Sequence, residues 1–107
     1  MISRTLATAT LKPMVLAILD GRPEYGYQII SRIRDLSDGQ IEWTTGTLYP
    51  FLHGLENEGL VESFWQNAEN APRRKYYRMT PAGERALEAE RQQWQTVHAM
   101  LAPLLAR

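Results

Sequence analysis

Two aromatic-rich segments, residues 60–66 and 74–79, constrain the fold of this chain most strongly. Both alternate in part between apolar and polar residues, a pattern typical of β-strands. The seven residues that separate them, 67–73, contain asparagine, proline and charge but no large apolar side chain. The sequence therefore predicts a hairpin with a long tip, and helical patterns flank this hairpin on both sides.

The part of the chain before the hairpin begins with two predicted helices. The first is predicted over 10–20, with Thr10 as its cap and Pro13 in the first turn, where a missing N–H is harmless. The second is predicted from about Gly26 to Leu36, because apolar residues recur there at helical spacing. Its predicted buried stripe consists of Ile29, Ile30, Ile33 and Leu36. Residues 40–43 alternate and predict a short strand.

The third helix has the clearest boundaries. Thr44 or Thr45 supplies its N-cap, and Gly59 followed by Leu60 predicts a Schellman ending. Gly54 in its interior should cost about 1 kcal/mol relative to alanine. The predicted buried stripe consists of Leu48, Leu52 and Leu55.

A long helix follows the hairpin. Thr80 and Pro81 form an N-cap with proline at the first helical position, and from 80 to 102 the helix would span about 34 Å. Its heptad-spaced residues, which we predict to form a dimer interface, are Leu87, Trp94, Val97, Leu101 and Leu104.

A homodimer is favoured because this helix is longer than so small a domain can cover. Leu6, Leu11 and Met14 are available to contact a partner's last helix. The alternative is that the apolar seam folds back onto the first helix of its own chain.

The order of elements predicts a mainly α protein with a small β-hairpin. This layout is that of a winged helix-turn-helix with a long C-terminal dimerisation helix. We expect residues 1–79 to form the DNA-binding part and residues 80–107 the dimerisation helix, within one structural unit.

Composition excludes several function classes. The chain has 107 residues, with 12 basic and 12 acidic side chains, and no cysteine. Thiolate metal sites and disulfides are excluded, and His53 and His98 are too far apart in sequence for an all-histidine site. The residues form no recognised catalytic grouping or phosphate-binding glycine loop. We therefore expect no enzyme, no cofactor and no metal; no membrane-spanning run or signal peptide is visible, and the expected location is the cytoplasm.

The composition of the third helix favours nucleic-acid binding over catalysis. The first turns of the third helix lack charge, and a helix entering the major groove by its N-terminus needs short polar groups and no carboxylate. At least one of its threonines is expected to cap the helix, so capping alone is the alternative. The candidate contacts there are Thr44, Thr45, Thr47 and Tyr49.

Four basic residues cluster at the predicted hairpin tip and the start of the strand that follows it. Arg73, Arg74, Lys75 and Arg78 lie within six residues that contain no acidic side chain. At a hairpin tip they can bind phosphates or straddle a minor groove, whereas the alternative is a solvated strand end.

Three segments together resemble one known family. YGYQII at 25–30, TTGTLYPFLHGLENEGLVES at 44–63 and PRRKYYRMTPAGERAL at 72–87 closely resemble the PadR family of transcriptional regulators, in order and in spacing. The single C-terminal helix is similar to its short subfamily. The resemblance implies a homodimer that binds a pseudo-palindromic operator through the third helix and the wing. It also implies repression that a small molecule relieves, and a phosphate contact from Tyr27.

The resemblance further implies a role for Trp94. In short members that sense drugs, a tryptophan at the matching place pairs with its dimer mate and binds planar, often cationic compounds, an arrangement that dispersion and cation–π attraction favour. Glu90 lies one turn earlier and can attract such a cation. The alternative is that Trp94 only packs the dimer.

Three features of the sequence depart from what this resemblance implies. His53 and Gly54 stand where the family commonly has a basic or helix-forming residue, and the net charge is zero. The third helix also lacks Arg and Lys up to Leu55. A winged-helix protein–protein interaction module without specific DNA binding is therefore the alternative function.

Overall fold

The computed structural model describes residues 1–106, apart from the side chain of Ala68. Residue 107 of the predicted C-terminal segment lies outside the described residues. In chain order, the elements are α1 (Arg4–Ile18), β1 (Glu24–Tyr25), α2 (Gly26–Leu36), α3 (Thr45–Asn57), β2 (Val61–Ala68), β3 (Ala71–Met79) and α4 (Pro81–Leu105). This mainly helical arrangement with one small antiparallel sheet confirms the predicted fold class.

The first helix starts earlier than predicted. Ser3, not Thr10, is the N-cap, since its hydroxyl accepts the N–H of Leu6 at 3.2 Å. The Thr10 hydroxyl instead donates to the Ala7 carbonyl at 2.7 Å. Pro13 consequently lies in the helix interior, not in the first turn. The small and polar residues at the start of this helix carry no apolar stripe, which is why periodicity misses them.

The connection between α2 and α3 is not a strand, so the strand predicted at 40–43 is wrong. The Ser37 hydroxyl accepts the N–H of Ile41 at 2.9 Å, and this N–H is therefore not free for a ladder. Helix α2 has its predicted bounds. Leu36, expected in its buried stripe, is 66% exposed.

The sheet has the order β1-β3-β2, and all its pairs are antiparallel. Its hairpin turn is shorter than predicted, because the backbone of Ala68 already pairs with that of Ala71. Asn70 in the turn has a positive φ of 58°, a conformation that asparagine tolerates better than most residues. The predicted seven-residue tip is wrong, because residues 71–73 belong to β3.

The apolar core joins the helices to the sheet. Leu11 and Leu87 are both buried in it, so neither is available to a partner chain, contrary to the prediction. The core side chains are Leu11, Val15, Leu16, Ile18, Leu19, Ile29, Ile33, Ile41, Leu48, Leu52, Leu55, Val61, Tyr77 and Leu87. The first two turns of α4 are therefore part of the winged-helix core.

The end of α3 and the start of α4 meet at one corner. The predicted Schellman ending is confirmed: Gly59 has φ of 77°, and the N–H of Leu60 bonds to the Leu55 carbonyl at 3.0 Å. The Thr80 N–H donates to the Leu60 carbonyl at 3.1 Å, and its hydroxyl donates to the Gly59 carbonyl at 2.6 Å. That hydroxyl also accepts the Gly83 N–H at 3.1 Å, as the predicted cap requires.

Candidate nucleic-acid interface

The polar face of α3 points away from the core. Thr44, Thr45, Thr47 and Tyr49 are all exposed, whereas Leu48 between them is fully buried. Thr44 occupies the N-cap position without a side-chain cap bond, and its hydroxyl lies 3.4 Å from that of Thr47. The threonine hydroxyls at the start of this helix are thus not consumed by capping and face solvent.

Tyr49 and the start of α2 form a second part of this surface. The ring of Tyr49 lies directly on Gly26, where a Cβ would come within 2.7 Å of it. Glycine at this position therefore makes room for the Tyr49 ring against the start of α2. Tyr27, the next residue of α2, is exposed. The structure brings Tyr27 and Tyr49 to the same side of the molecule, where both line one groove.

The basic residues of the wing, the β2–β3 hairpin, lie within β3 and not at the hairpin tip. Side chains alternate between the two faces of a strand, so Arg73 and Lys75 share one face and Arg74 lies on the other. The guanidinium of Arg73 is 5.5 Å from the ring centroid of Trp65, and that of Arg74 is 4.5 Å from the ring of Tyr25. Each of these two arginines is thus supported by an aromatic ring, and both side chains are exposed.

Arg78, the fourth basic residue of the predicted cluster, interacts with other side chains of the sheet. Its Nε donates to Glu62 Oε1 at 2.6 Å across the strand pair. Its guanidinium also stacks on Phe64, 4.7 Å from the ring centroid. The structure therefore separates Arg78 from the three cations that precede it.

A groove of about 560 Å³ runs between the start of α2, α3 and the wing. Among the described residues, no carboxylate lines it, so its electrostatic character is positive. Its lining residues are Tyr25, Tyr27, Tyr49, Trp65, Pro72, Arg73, Arg74 and Lys75. It thus collects five of the eight predicted DNA contacts in one place, while the three threonines lie on the adjoining turn of α3.

Tyr25 and Trp65 are not among the predicted site residues. Tyr25 belongs to the unpredicted strand β1, and Trp65 is 57% exposed on β2. The alternation of β2 is a signal for Trp65, because it places Trp65 on the same face as Ser63, which contacts α3. Locating Tyr25 requires the pairing of β1 with β3.

A polar link holds the wing against α3. The Ser63 hydroxyl of β2 donates to the Glu56 carboxylate of α3. Burial raises the pKa of the nearby Tyr77 hydroxyl above its ordinary value of 10.0, and the charges of Glu56 and Tyr49 act in the same direction. His53 is exposed, with Nδ1 3.9 Å from Glu56. The wing and α3 are therefore fixed to each other by side chains as well as by the core.

The predicted seam of α4 divides into a buried and an exposed part. Leu87 is buried in its own chain, whereas Val97, Leu101 and Leu104 are exposed. Trp94 is half-buried, and its indole N–H donates to Glu90 Oε2 at 3.2 Å. The helix continues through Pro103 to Leu105, three residues beyond the predicted span of 80–102.

Two further features of the described residues bear on function. Within residues 1–106, no group of three His, Asp or Glu side chains is arranged to hold a metal ion. None of the helices in that range is long and apolar enough to cross a membrane.

Comparison with known proteins gives a consistent result. A family model described as the transcriptional regulator PadR-like family matches residues 15–89. A PadR family transcriptional regulator from Eggerthella lenta is 36% identical, with a TM-score of 0.77 and coverage of 95% of this chain and 87% of its own. A PadR-like transcriptional regulator from Bacillus cereus is 26% identical, with a TM-score of 0.85 and coverage of 96% and 98%.

One similar structure contains nucleic acid. Bacillus subtilis PadR, solved in complex with operator DNA, is 24% identical to this chain, with a TM-score of 0.66. The match covers 74% of this chain and 45% of that one, so it shows a shared fold.

Proposed function

The chain belongs to the PadR-like family of transcriptional regulators, and from this premise we propose that it binds operator DNA through α3 and the wing. Members of this family are regulators and not enzymes, in agreement with the catalytic groupings missing from the sequence. The observation that carries the proposal is the groove between α3 and the wing. Three cations and three tyrosines line it, and no carboxylate among the described residues does.

The two sides of this surface perform different tasks. The uncharged start of α3 enters the major groove, where Thr45, Thr47 and Tyr49 contact base edges. Arg73, Arg74 and Lys75 bind phosphates, and Tyr27 adds a hydroxyl donor beside them. Because these residues of α3 include no arginine or lysine, bidentate guanine recognition by this helix is not part of the mechanism. The complex of Bacillus subtilis PadR with operator DNA supports this use of the fold.

The second half of α4 forms a homodimer interface. Val97, Leu101 and Leu104 are exposed in the single chain, and Met100 and Leu105 add further apolar surface beside them. Burial of such a surface against a second copy is favourable, at about 25 cal/mol per Å². A dimer presents two α3 helices to a pseudo-palindromic operator, with half-sites about 34 Å apart. Residues 1–79 therefore carry DNA contacts and residues 80–107 carry dimer contacts, although the first turns of α4 also complete the core.

Repression is relieved by a planar aromatic ligand at Trp94. Its half-buried indole offers a large π surface, and the Glu90 carboxylate 3.2 Å from the indole nitrogen supplies a negative charge beside it. A planar cation fits this pair, because dispersion and charge attraction act together. Such a ligand must bind one spacing of the two α3 helices better than another in order to change operator affinity.

Operator selection followed by salt titration tests the DNA proposal. A randomised duplex pool is expected to yield a two-fold-related site, bound by a dimer with a linear loss of log affinity against log salt. Replacing both Arg73 and Arg74 by alanine should weaken binding to all sequences. It should also reduce the salt slope by about one unit for each phosphate that the variant no longer neutralises. Arg78→Gln is the matched control, because Arg78 is already paired with Glu62.

Equal slopes for the double variant and this control would remove the wing from the DNA interface. A folded dimer that enriches no duplex, with or without a planar cation, would favour the protein–protein interaction module instead. The zero net charge is the observation consistent with that module.

Trp94→Ala tests the ligand proposal. The variant should lose binding of a planar cationic dye, measured by fluorescence titration, while sedimentation still shows a dimer. A dimeric variant that retains dye affinity would contradict a role for Trp94 in ligand binding.

A further inference from the structure

Trp65 has no part in the contacts proposed so far, although its position on the wing is unusual. More than half of this large apolar side chain is exposed on a small sheet. It pairs across the strands with Lys75, and the guanidinium of Arg73 lies 5.5 Å from its ring centroid. An exposed indole between two cations, beside α3, is suited to bind a partner that is both apolar and anionic.

The direction of Trp65 follows from the register of the sheet. Ser63 and Tyr77 are opposite each other in the β2–β3 pair, and both face α3, one through its bond to Glu56 and the other through burial. Trp65 is two residues beyond Ser63, and therefore on the same face. It extends past the core into the groove, which Tyr49 also lines.

The composition of the groove defines its occupant. Four aromatic residues and three cations line it, and none of the lining residues is acidic. A phosphate diester chain carries one negative charge per unit, with a less polar sugar between successive charges. This alternation matches the wall formed by Arg73, Trp65 and Lys75.

We propose that the groove holds the sugar–phosphate backbone of one operator strand, with the Trp65 ring packed against a deoxyribose. The inference rests on the proposed operator binding and adds the path of the strand. With α3 in the major groove and the wing beside it, the backbone that separates these two contacts passes between Tyr49 and Trp65. Arg73 and Lys75 then bind the phosphates on either side of the sugar that contacts Trp65.

A purely structural role for Trp65 makes a different prediction. If the indole only holds Arg73 in place, removing the indole does not weaken operator binding further once Arg73 is absent. If the indole contacts the sugar itself, the losses of binding free energy from the two substitutions add. A double-mutant cycle separates these cases, because it isolates the interaction between the two side chains.

The experiment uses the full-length dimer and the selected operator, with binding measured by fluorescence anisotropy at several salt concentrations. Trp65→Ala should weaken binding about tenfold, the effect of removing about 55 Å² of apolar contact at 25 cal/mol per Å². The salt slope should not change, because an indole neutralises no phosphate. Trp65→Phe should recover most of the affinity, which also guards against a folding defect in the alanine variant.

Two further variants complete the titrations. Trp65→Ala should weaken an Arg73→Ala protein by a further tenfold or nearly so. Leu36→Ala is the control for removal of an exposed apolar side chain, since Leu36 is outside the groove at the other end of α2. Its affinity should equal that of the original protein.

Hydroxyl-radical footprinting reports the contact with the sugar directly, because the radical cleaves at accessible deoxyribose. The original dimer should protect a short run of sugars on one strand of each half-site, and Trp65→Ala should leave one or two of them unprotected. Unchanged affinity and protection in Trp65→Ala would overturn this inference but leave operator binding intact. A double variant no weaker than Arg73→Ala would also overturn it. Failure of the original protein to bind any duplex would overturn both proposals.

Discussion

Replacing Gly83 by alanine places a methyl group where the Leu60 carbonyl oxygen already lies. That oxygen is backbone, held by the Schellman ending of α3, and it accepts the Thr80 N–H. It cannot rotate away as a side chain does. The start of α4 must therefore move off the corner, although alanine is the better helix former.

The size of the effect follows from the contacts at this corner. Alanine gains about 1 kcal/mol in helix propensity over glycine. Displacement of α4 weakens the Leu60–Thr80 bond and the Thr80 cap, each worth about 1 kcal/mol. It also exposes part of Leu87, which costs about 1–2 kcal/mol more. We expect Gly83→Ala to lower the free energy of unfolding by about 2–3 kcal/mol, the balance of these terms.

Gly54→Ala is the matched comparison. Gly54 also lies within a helix, but it is exposed and a Cβ there meets nothing within 4 Å. Only the propensity difference applies, so this variant should be about 1 kcal/mol more stable than the original protein. Urea denaturation of the three proteins at one fixed concentration measures the differences, because a dimer's stability depends on concentration. A Gly83→Ala protein at least as stable as the original would refute the steric reasoning.

Two further predictions concern tyrosines near α3. Gly26→Ala should push the Tyr49 ring off α2 and weaken operator binding about tenfold, a cost of about 1.4 kcal/mol. The melting temperature should fall only slightly, since the atoms displaced belong to the end of a side chain. Unchanged operator affinity, measured by anisotropy, would show that the position of Tyr49 is unimportant for binding. Tyr77→Phe should flatten the pH dependence of stability above the ordinary tyrosine pKa of 10.0. In the original protein, the folded state keeps the Tyr77 proton where the unfolded chain loses it, because the pKa of Tyr77 is raised on folding. The stability that this proton contributes below pH 10.0 therefore declines as the pH rises further, and the variant lacks this decline. Parallel decline of both proteins in urea denaturation across this alkaline range would contradict this.

Local signals in the sequence predict those parts of the fold that depend on neighbouring residues. The bounds of α2, the end of α3 at Gly59 and the start of α4 at Thr80 each depend on caps and turns within a few residues. The extent of α1 does not follow from the sequence, because its first turns carry no apolar periodicity. Strand β1 is equally hidden, because its two residues are strand only by virtue of pairing with Tyr76 and Tyr77, far along the chain.

The candidate site shows the same division. That α3 exposes hydroxyls follows from its apolar stripe, which fixes the opposite face. Which basic residues are paired with a carboxylate does not follow from their clustering. Arg74 and Arg78 lie four residues apart on the same strand, yet Arg78 is paired with Glu62 while Arg74 lines the groove. Likewise, Leu87 and Leu101 share one seam, but the core covers only the first.

The anchoring of α4 at Thr80 has a mechanical consequence. The helix has 25 residues, and its beginning is pinned to the backbone at Gly59 and Leu60, just after the last turn of α3. Because Leu87 is also buried in the core, the lever arm is the segment that follows it, 88–105, about 27 Å at 1.5 Å per residue. A tilt of this arm by about 10° moves its far end by about 5 Å but its first turn by only about 1 Å. A small rotation where α4 meets the core therefore becomes a much larger displacement at the C-terminal end of the helix.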